Sequence, residues 1–122
     1  MFWEELIKVI WFNFDGPWSP QAYLFTNDFY ENLMQNWHVR PPPWSGNKQY
    51  QDDETNELMM TPSDMTLKEY PEFLKYTKIY AKDQDAWFRD FAPAYTKLLE
   101  LGITYPEDQK PMVFKTLDEQ AN

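Results

Sequence analysis

The sequence predicts a mainly α fold interrupted by a short β-hairpin or an irregular loop insertion, and three observations lead there. Apolar residues recur at helical spacing in Trp87, Phe88, Phe91, Tyr95, Leu98 and Leu99. Thr61-Pro62-Ser63-Asp64 reads as a helix start, with a hydroxyl cap, a proline at the first helical position and an acid three residues after the cap. Strand-like alternation is confined to Trp37-His38-Val39-Arg40, which leaves little room for a sheet.

Taken in order, residues 1–14 (MFWEELIKVIWFNF) can form a short helix that is apolar almost all round. Such a helix must be buried or is not natively helical. Asp15-Gly16-Pro17 then breaks the chain. The next helix runs from Thr26 to Asn36. Thr26 or Asn27 caps it, Asp28 and Glu31 suit its first turn, and Phe29, Tyr30, Leu33 and Met34 keep helical spacing. Pro41-Pro42-Pro43 stops the short strand and opens a polar stretch to about Glu57. That stretch is either an insertion or a hairpin with its second arm near Gln49 to Asp52. Tyr70-Pro71 starts a helix to about Lys82, with Phe73, Leu74, Thr77 and Tyr80 on one face. The longest helix spans Asp83 to Leu101 and ends at Gly102, with Pro93 expected to kink it. Beyond Pro106 and Pro111, Met112-Val113-Phe114 can run extended.

Composition removes several function classes. Without cysteine there are no disulfides, thiolate metal sites or Cys nucleophiles. A net charge of −9 disfavours nucleic acid; it either attracts a basic protein partner or only keeps the chain soluble. Phe, Trp and Tyr make up 19 % of the residues, too many for a disordered chain. The most apolar stretch, Phe2 to Phe14, is broken by Glu4, Glu5 and Lys8 and is too short to span a bilayer. It also lacks the character of a signal or transit peptide, so no targeting segment is visible.

Most catalytic templates fail. Three scattered glycines build no phosphate loop. His38 is the sole histidine, flanked by Trp37 and the prolines, and reads as a surface or packing residue. Asp52, Asp53 and Glu54 read as solvated loop carboxylates. Asp83 and Asp85 suit a helix N-terminus. Trp18 and Asp64 remain. An indole buried after the Gly16-Pro17 turn needs an acceptor, and Asp64 follows the apolar run Leu58-Met59-Met60. From pattern alone, Asp64 is a helix cap.

Four separated segments then match a known family in order and spacing. They are Phe14-Asp15-Gly16-Pro17-Trp18, Phe25-Thr26-Asn27-Asp28-Phe29-Tyr30, Leu58-Met59-Met60-Thr61-Pro62-Ser63-Asp64 and Tyr80-Ala81-Lys82-Asp83-Gln84-Asp85. They resemble the proximal half of the class I haem peroxidases. The ending Val113-Phe114-Lys115-Thr116-Leu117-Asp118-Glu119-Gln120 is similar to the cytochrome c peroxidase branch. The resemblance runs from about Phe14 to Asn122 and leaves residues 1–13 unmatched.

The resemblance implies the C-terminal, proximal-side part of an all-α fold enclosing haem b. It also implies peroxide reduction with electrons from cytochrome c, under oxidative stress, in the mitochondrion. Trp18 takes the place of the tryptophan oxidised during turnover. Asp64 takes the place of the aspartate that accepts hydrogen bonds from that indole and from the axial histidine. Met59, Met60, Phe29, Phe91 and Tyr95 fall where residues pack around the tryptophan or haem pocket, and each is equally an ordinary core residue. Thr26 stands where ascorbate-using relatives have a cation-binding aspartate, which favours cytochrome c as donor. Ser19, Pro20, Gln21 and Asp118 match the docking rim for that partner.

Where the family has its axial histidine, Met1 to Asn13 has none, and the distal catalytic half has no counterpart in the chain. The expectation is a chain inactive alone, with the wall formed by Trp18, Phe91 and Tyr95 facing solvent. Either the gene is truncated or misassembled, or the chain is a non-catalytic remnant that binds cytochrome c or another basic protein.

Overall fold

The computed structural model describes residues 13–106, 114, 115 and 117–120. The readings of residues 1–12 as a helix and of Met112 and Val113 as extended lie outside the described residues.

The described chain is mainly helical. Its helices are α1 (Asp28–Leu33), α2 (Pro62–Glu69), α3 (Pro71–Tyr80), α4 (Gln84–Leu99) and the short α5 (Leu117–Gln120). Between α1 and α2 lie β1 (Trp37–Val39), β2 (Tyr50–Asp52) and β3 (Met59–Met60). These form an antiparallel sheet in the order β1-β2-β3, pairing Trp37 with Asp52, Val39 with Tyr50, and Tyr50 with Met60. The open choice between hairpin and insertion thus resolves to a hairpin. The sheet is as small as the sequence predicts, and its third strand, β3, has two residues, too few to show alternation.

The period-2 alternation of the strands sorts side chains onto two faces. Trp37, Tyr50 and Met60 share one face and join Leu33 and Met65 in the core, with Phe29 and Leu67 packed against them. Arg40, Gln49 and Met59 have the opposite parity, towards the turn that precedes Trp18. Burying side chains such as Leu33 or Met60 stabilises the fold by about 2 kcal/mol each.

Each helix start follows local chemistry. Thr61 Oγ1 accepts the Asp64 amide and Asp64 closes the capping box on the Thr61 amide, with Pro62 at the first helical position. Asp83 accepts the Ala86 amide at 2.9 Å and starts α4. Gly102 follows α4 at φ +81, a left-handed geometry suited to glycine. At α1, Thr26 Oγ1 accepts the Asp28 amide at 3.2 Å. Asn27, at the cap position, makes no side-chain cap bond and instead donates to Tyr80 O (2.9 Å) and Ala81 O (3.4 Å), satisfying the end of α3.

Only the first half of the α4 stripe packs. Phe25 meets Trp87, Phe88 and Phe91 at 5.8, 5.4 and 4.7 Å between ring centroids, and Tyr30 meets Trp87 at 4.9 Å. Tyr95, Leu98 and Leu99 are exposed.

Asp52 needs a further correction. It is not a solvated loop carboxylate but 1 % exposed. It accepts hydrogen bonds from Thr55 N (2.6 Å), Thr55 Oγ1 (2.8 Å) and Leu58 N (2.8 Å). The carboxylate organises the turn from β2 to β3. Asp53 is exposed and pairs with His38 Nδ1 at 2.7 Å, and Glu54 is exposed.

Candidate functional site

Gly16 makes the approach to the site possible. Its φ of +114 is reached cheaply only by glycine, and an added Cβ would lie 3.3 Å from Met59 Cβ. Pro17 O accepts the Met59 amide at 2.8 Å, which fastens the turn to the start of β3. From Met60 the chain passes directly into the Thr61 cap and the first turn of α2. Trp18, one residue past the fastened turn, therefore comes alongside Asp64.

The indole Nε1 of Trp18 donates to Asp64 Oδ2 at 2.8 Å, across 46 positions of sequence. The same oxygen accepts from Thr61 N at 2.8 Å and Thr61 Oγ1 at 2.7 Å. Ser63 Oγ lies 2.9 Å from Thr61 Oγ1 and completes the hydroxyl pair. Among the described residues, none donates to Asp64 Oδ1. Trp18 is 41 % exposed, so its ring is partly open to solvent. A carboxylate held against an indole N–H stabilises positive charge on the ring.

The other candidates separate into groups. Met59 is buried beside the Gly16 turn, while Met60 is fully buried in the core with Leu33 and Met65. Phe29 packs on that same core. Phe91 and Tyr95 stack on each other at 5.3 Å on α4, and Phe91 also meets Phe25 and Trp87. Ser19, Pro20 and Gln21 form a surface turn next to Trp18, with Leu24 N donating to Gln21 O at 2.9 Å. Asp118 falls in α5, and its side chain lies outside the described residues.

Two further residues at the site carried no sequence signal. Gln49 and Arg40 both bind Asp15, ahead of the Gly16 turn. Asp52 had a usable one, since an aspartate at the head of a polar turn can accept from the amide three residues on, as a capping residue does.

The residues present fit a haem only in part. A partly exposed indole held by a carboxylate suits the flank of a large planar group. An iron ligand is another matter: the sole histidine, His38, is held by Asp53, there is no cysteine, and the described residues hold no cluster of three or more His, Cys, Asp or Glu placed for a metal ion.

No protein-family model matches the chain. Among curated proteins, the mitochondrial cytochrome c peroxidase of Candida albicans is 59 % identical over 107 residues, covering 88 % of this chain and 29 % of the relative. The protein of the same name from Candida glabrata is 45 % identical over 109 residues, covering 88 % of this chain and 30 % of the relative. That of Yarrowia lipolytica is 43 % identical over 103 residues, covering 84 % and 30 %. The chain spans about 30 % of the length of these relatives, and over that span it is similar to a part of the cytochrome c peroxidases.

Proposed function

We propose that the chain from about Phe14 onward is the C-terminal, proximal-side part of an all-α haem peroxidase domain acting in the mitochondrion. That domain reduces hydrogen peroxide with electrons from cytochrome c. The observation that carries this reading is the Trp18 Nε1–Asp64 Oδ2 hydrogen bond of 2.8 Å. Haem b, when bound, supplies the chemistry of peroxide reduction.

This chain's residues have a narrower part. Trp18 would give up one electron towards the reduction of peroxide, and the charge of Asp64 would lower the cost of the positive charge left on its ring. Reduced cytochrome c, docked by Ser19, Pro20, Gln21 and Asp118, returns the electron. Oδ1 of Asp64 would accept the N–H of an imidazole holding the haem iron, supplied by residues other than those described here, and its charge would make that imidazole more basic. Met59, Phe91 and Tyr95 supply apolar surface near the pocket, and Met60 supports Met59 from the core.

Alone, the chain is inactive: with haemin, peroxide and ferrocytochrome c, turnover stays at the level of free haemin. The active context is tested by a chimera in which this chain, from Phe14, replaces the matching segment of the C. albicans relative. The chimera oxidises ferrocytochrome c, and Trp18→Phe lowers kcat by about 100-fold or more at unchanged haem content, the loss expected when an interaction or carrier used only in turnover is removed. Full turnover in the Trp18→Phe chimera overturns the assignment.

The net charge of −9 favours a second reading, a non-catalytic chain that binds cytochrome c or another basic protein. A soluble chain that forms a salt-sensitive complex supports it; an insoluble or molten chain counts against it.

A further inference from the structure

The turn ahead of Trp18 is gripped from the sheet by a residue that the proposed function leaves unused. Gln49 is 1 % exposed. Its Oε1 accepts the Asp15 amide at 2.9 Å, and its Nε2 donates to the Asp15 carbonyl at 2.7 Å. A carboxamide presents an acceptor and a donor side by side, as a residue's backbone does to a neighbouring strand. Gln49 therefore acts as one rung of strand pairing for a segment that is not a strand.

Arg40 reinforces the grip. Its Nη1 donates to Asp15 O at 3.2 Å and Oδ2 at 2.8 Å, while its guanidinium lies 4.4 Å from the centre of the Trp44 ring. The Arg40 amide donates to Gln49 O at 2.9 Å, so both residues of the grip are tied by the hairpin. On the far side of Gly16, Pro17 O holds the Met59 amide. Asp15, Gly16 and Pro17 are thus fixed at both ends, and the direction in which the chain leaves towards Trp18 is set.

We propose that Gln49 is a positioning residue for Trp18: by clamping both backbone groups of Asp15 it keeps the indole N–H on Asp64 Oδ2. The proposal rests on the reading of Trp18 and Asp64 as the functional pair. It requires both a donor and an acceptor at position 49. Ionised glutamate has only acceptors and sets an acceptor oxygen against the Asp15 carbonyl oxygen, whereas protonated glutamate restores the donor in nearly the same shape.

The test is indole N–H exchange in the full chain labelled with 15N-tryptophan, with Trp18 assigned through Trp18→Phe. Asp64→Ala is expected to speed exchange at Trp18. Gln49→Leu, and Gln49→Glu when ionised, speed it by about tenfold, the factor for loss of one net hydrogen bond. Exchange at Trp87, whose indole N–H is buried on α4, stays unchanged. In Gln49→Glu the protection returns as pH falls through the glutamate titration. Asp15, Arg40 and Glu57 line the same cleft, so rates are taken relative to the unsubstituted chain at each pH.

Parallel acceleration at Trp87, or no recovery in acid, makes Gln49 a general structural residue and overturns the proposal. If Asp64→Ala moves Trp18 but Gln49→Leu does not, the clamp falls and the pair stands. If Asp64→Ala leaves Trp18 unchanged, the pair itself falls and the clamp with it.

Discussion

Trp18 and Thr61 share one oxygen atom: Oδ2 of Asp64 accepts the indole N–H of the first at 2.8 Å and the backbone amide of the second at 2.8 Å. The helix cap and the indole acceptor are therefore not alternative roles for Asp64. The cap fixes the rotamer, and the fixed rotamer presents the oxygen to Trp18. A side chain already immobilised by folding loses little further entropy when it accepts the indole.

Two substitutions separate these roles. Thr61→Ala removes the hydroxyl from the capping box and costs about 1 kcal/mol in urea unfolding. Asp64→Ala removes the cap and the charged acceptor together and costs about 2 kcal/mol, less than the sum for fully buried bonds because Trp18 is partly exposed. In a double-mutant cycle, Asp64→Ala and Trp18→Phe couple by about 1 kcal/mol. Additive effects would show that the bond contributes nothing.

Asp52 gives the fold a defined acid limit. Burial raises its pKa, but hydrogen bonds from the Thr55 and Leu58 amides, the Thr55 hydroxyl and the Asn56 amide outweigh burial and hold it below the ordinary aspartate value of 3.8. A depressed folded pKa means stability is fully present above the unfolded value and is lost as pH falls through the folded one. Unfolding midpoints should therefore drop below pH about 4. Asp52→Ala costs about 2–3 kcal/mol at neutral pH by stranding its buried donors, and Asp52→Asn flattens the acid limb. An unchanged acid limb in Asp52→Asn would assign it to other carboxylates.

Asn27 ties α1 to the end of α3 through Tyr80 O and Ala81 O. Asn27→Asp replaces that donor with an acceptor facing two carbonyls, and is expected to destabilise by about 2–3 kcal/mol. Asn27→Ala should cost less, since it adds no repulsion. Urea titrations of both rank them, and equal losses would show that only the missing bond matters.

Local chemistry was legible in the sequence wherever neighbouring residues decide the outcome. Thr61, Pro62 and Asp64 specify a helix start among themselves, as do Asp83 at α4 and Gly102 at its end. β3, which depends on distant partners, was not: it consists of Met59 and Met60, whose strand character comes from pairing with Gln51 and Tyr50. Asp52 is bound by near neighbours, Thr55 and Leu58, but it stands among polar residues, and its burial shows only in the folded turn.

The site shows the same division. The capping role of Asp64 followed from three neighbouring residues, whereas its bond to Trp18 required the family resemblance, because 46 positions separate the two. Gln49 had no local signal, since its partner Asp15 lies 34 positions away. The apolar stripe of α4 marks a partly buried face as far as Phe91, but at Tyr95, Leu98 and Leu99 that face is exposed.

The most direct test of the Trp18–Asp64 account is electron paramagnetic resonance of the chimera with the C. albicans relative, frozen after one equivalent of peroxide. A tryptophan-centred radical should form, vanish in Trp18→Phe, and become shorter-lived in Asp64→Asn, which removes the stabilising charge. The same radical signal persisting in Trp18→Phe would contradict the account.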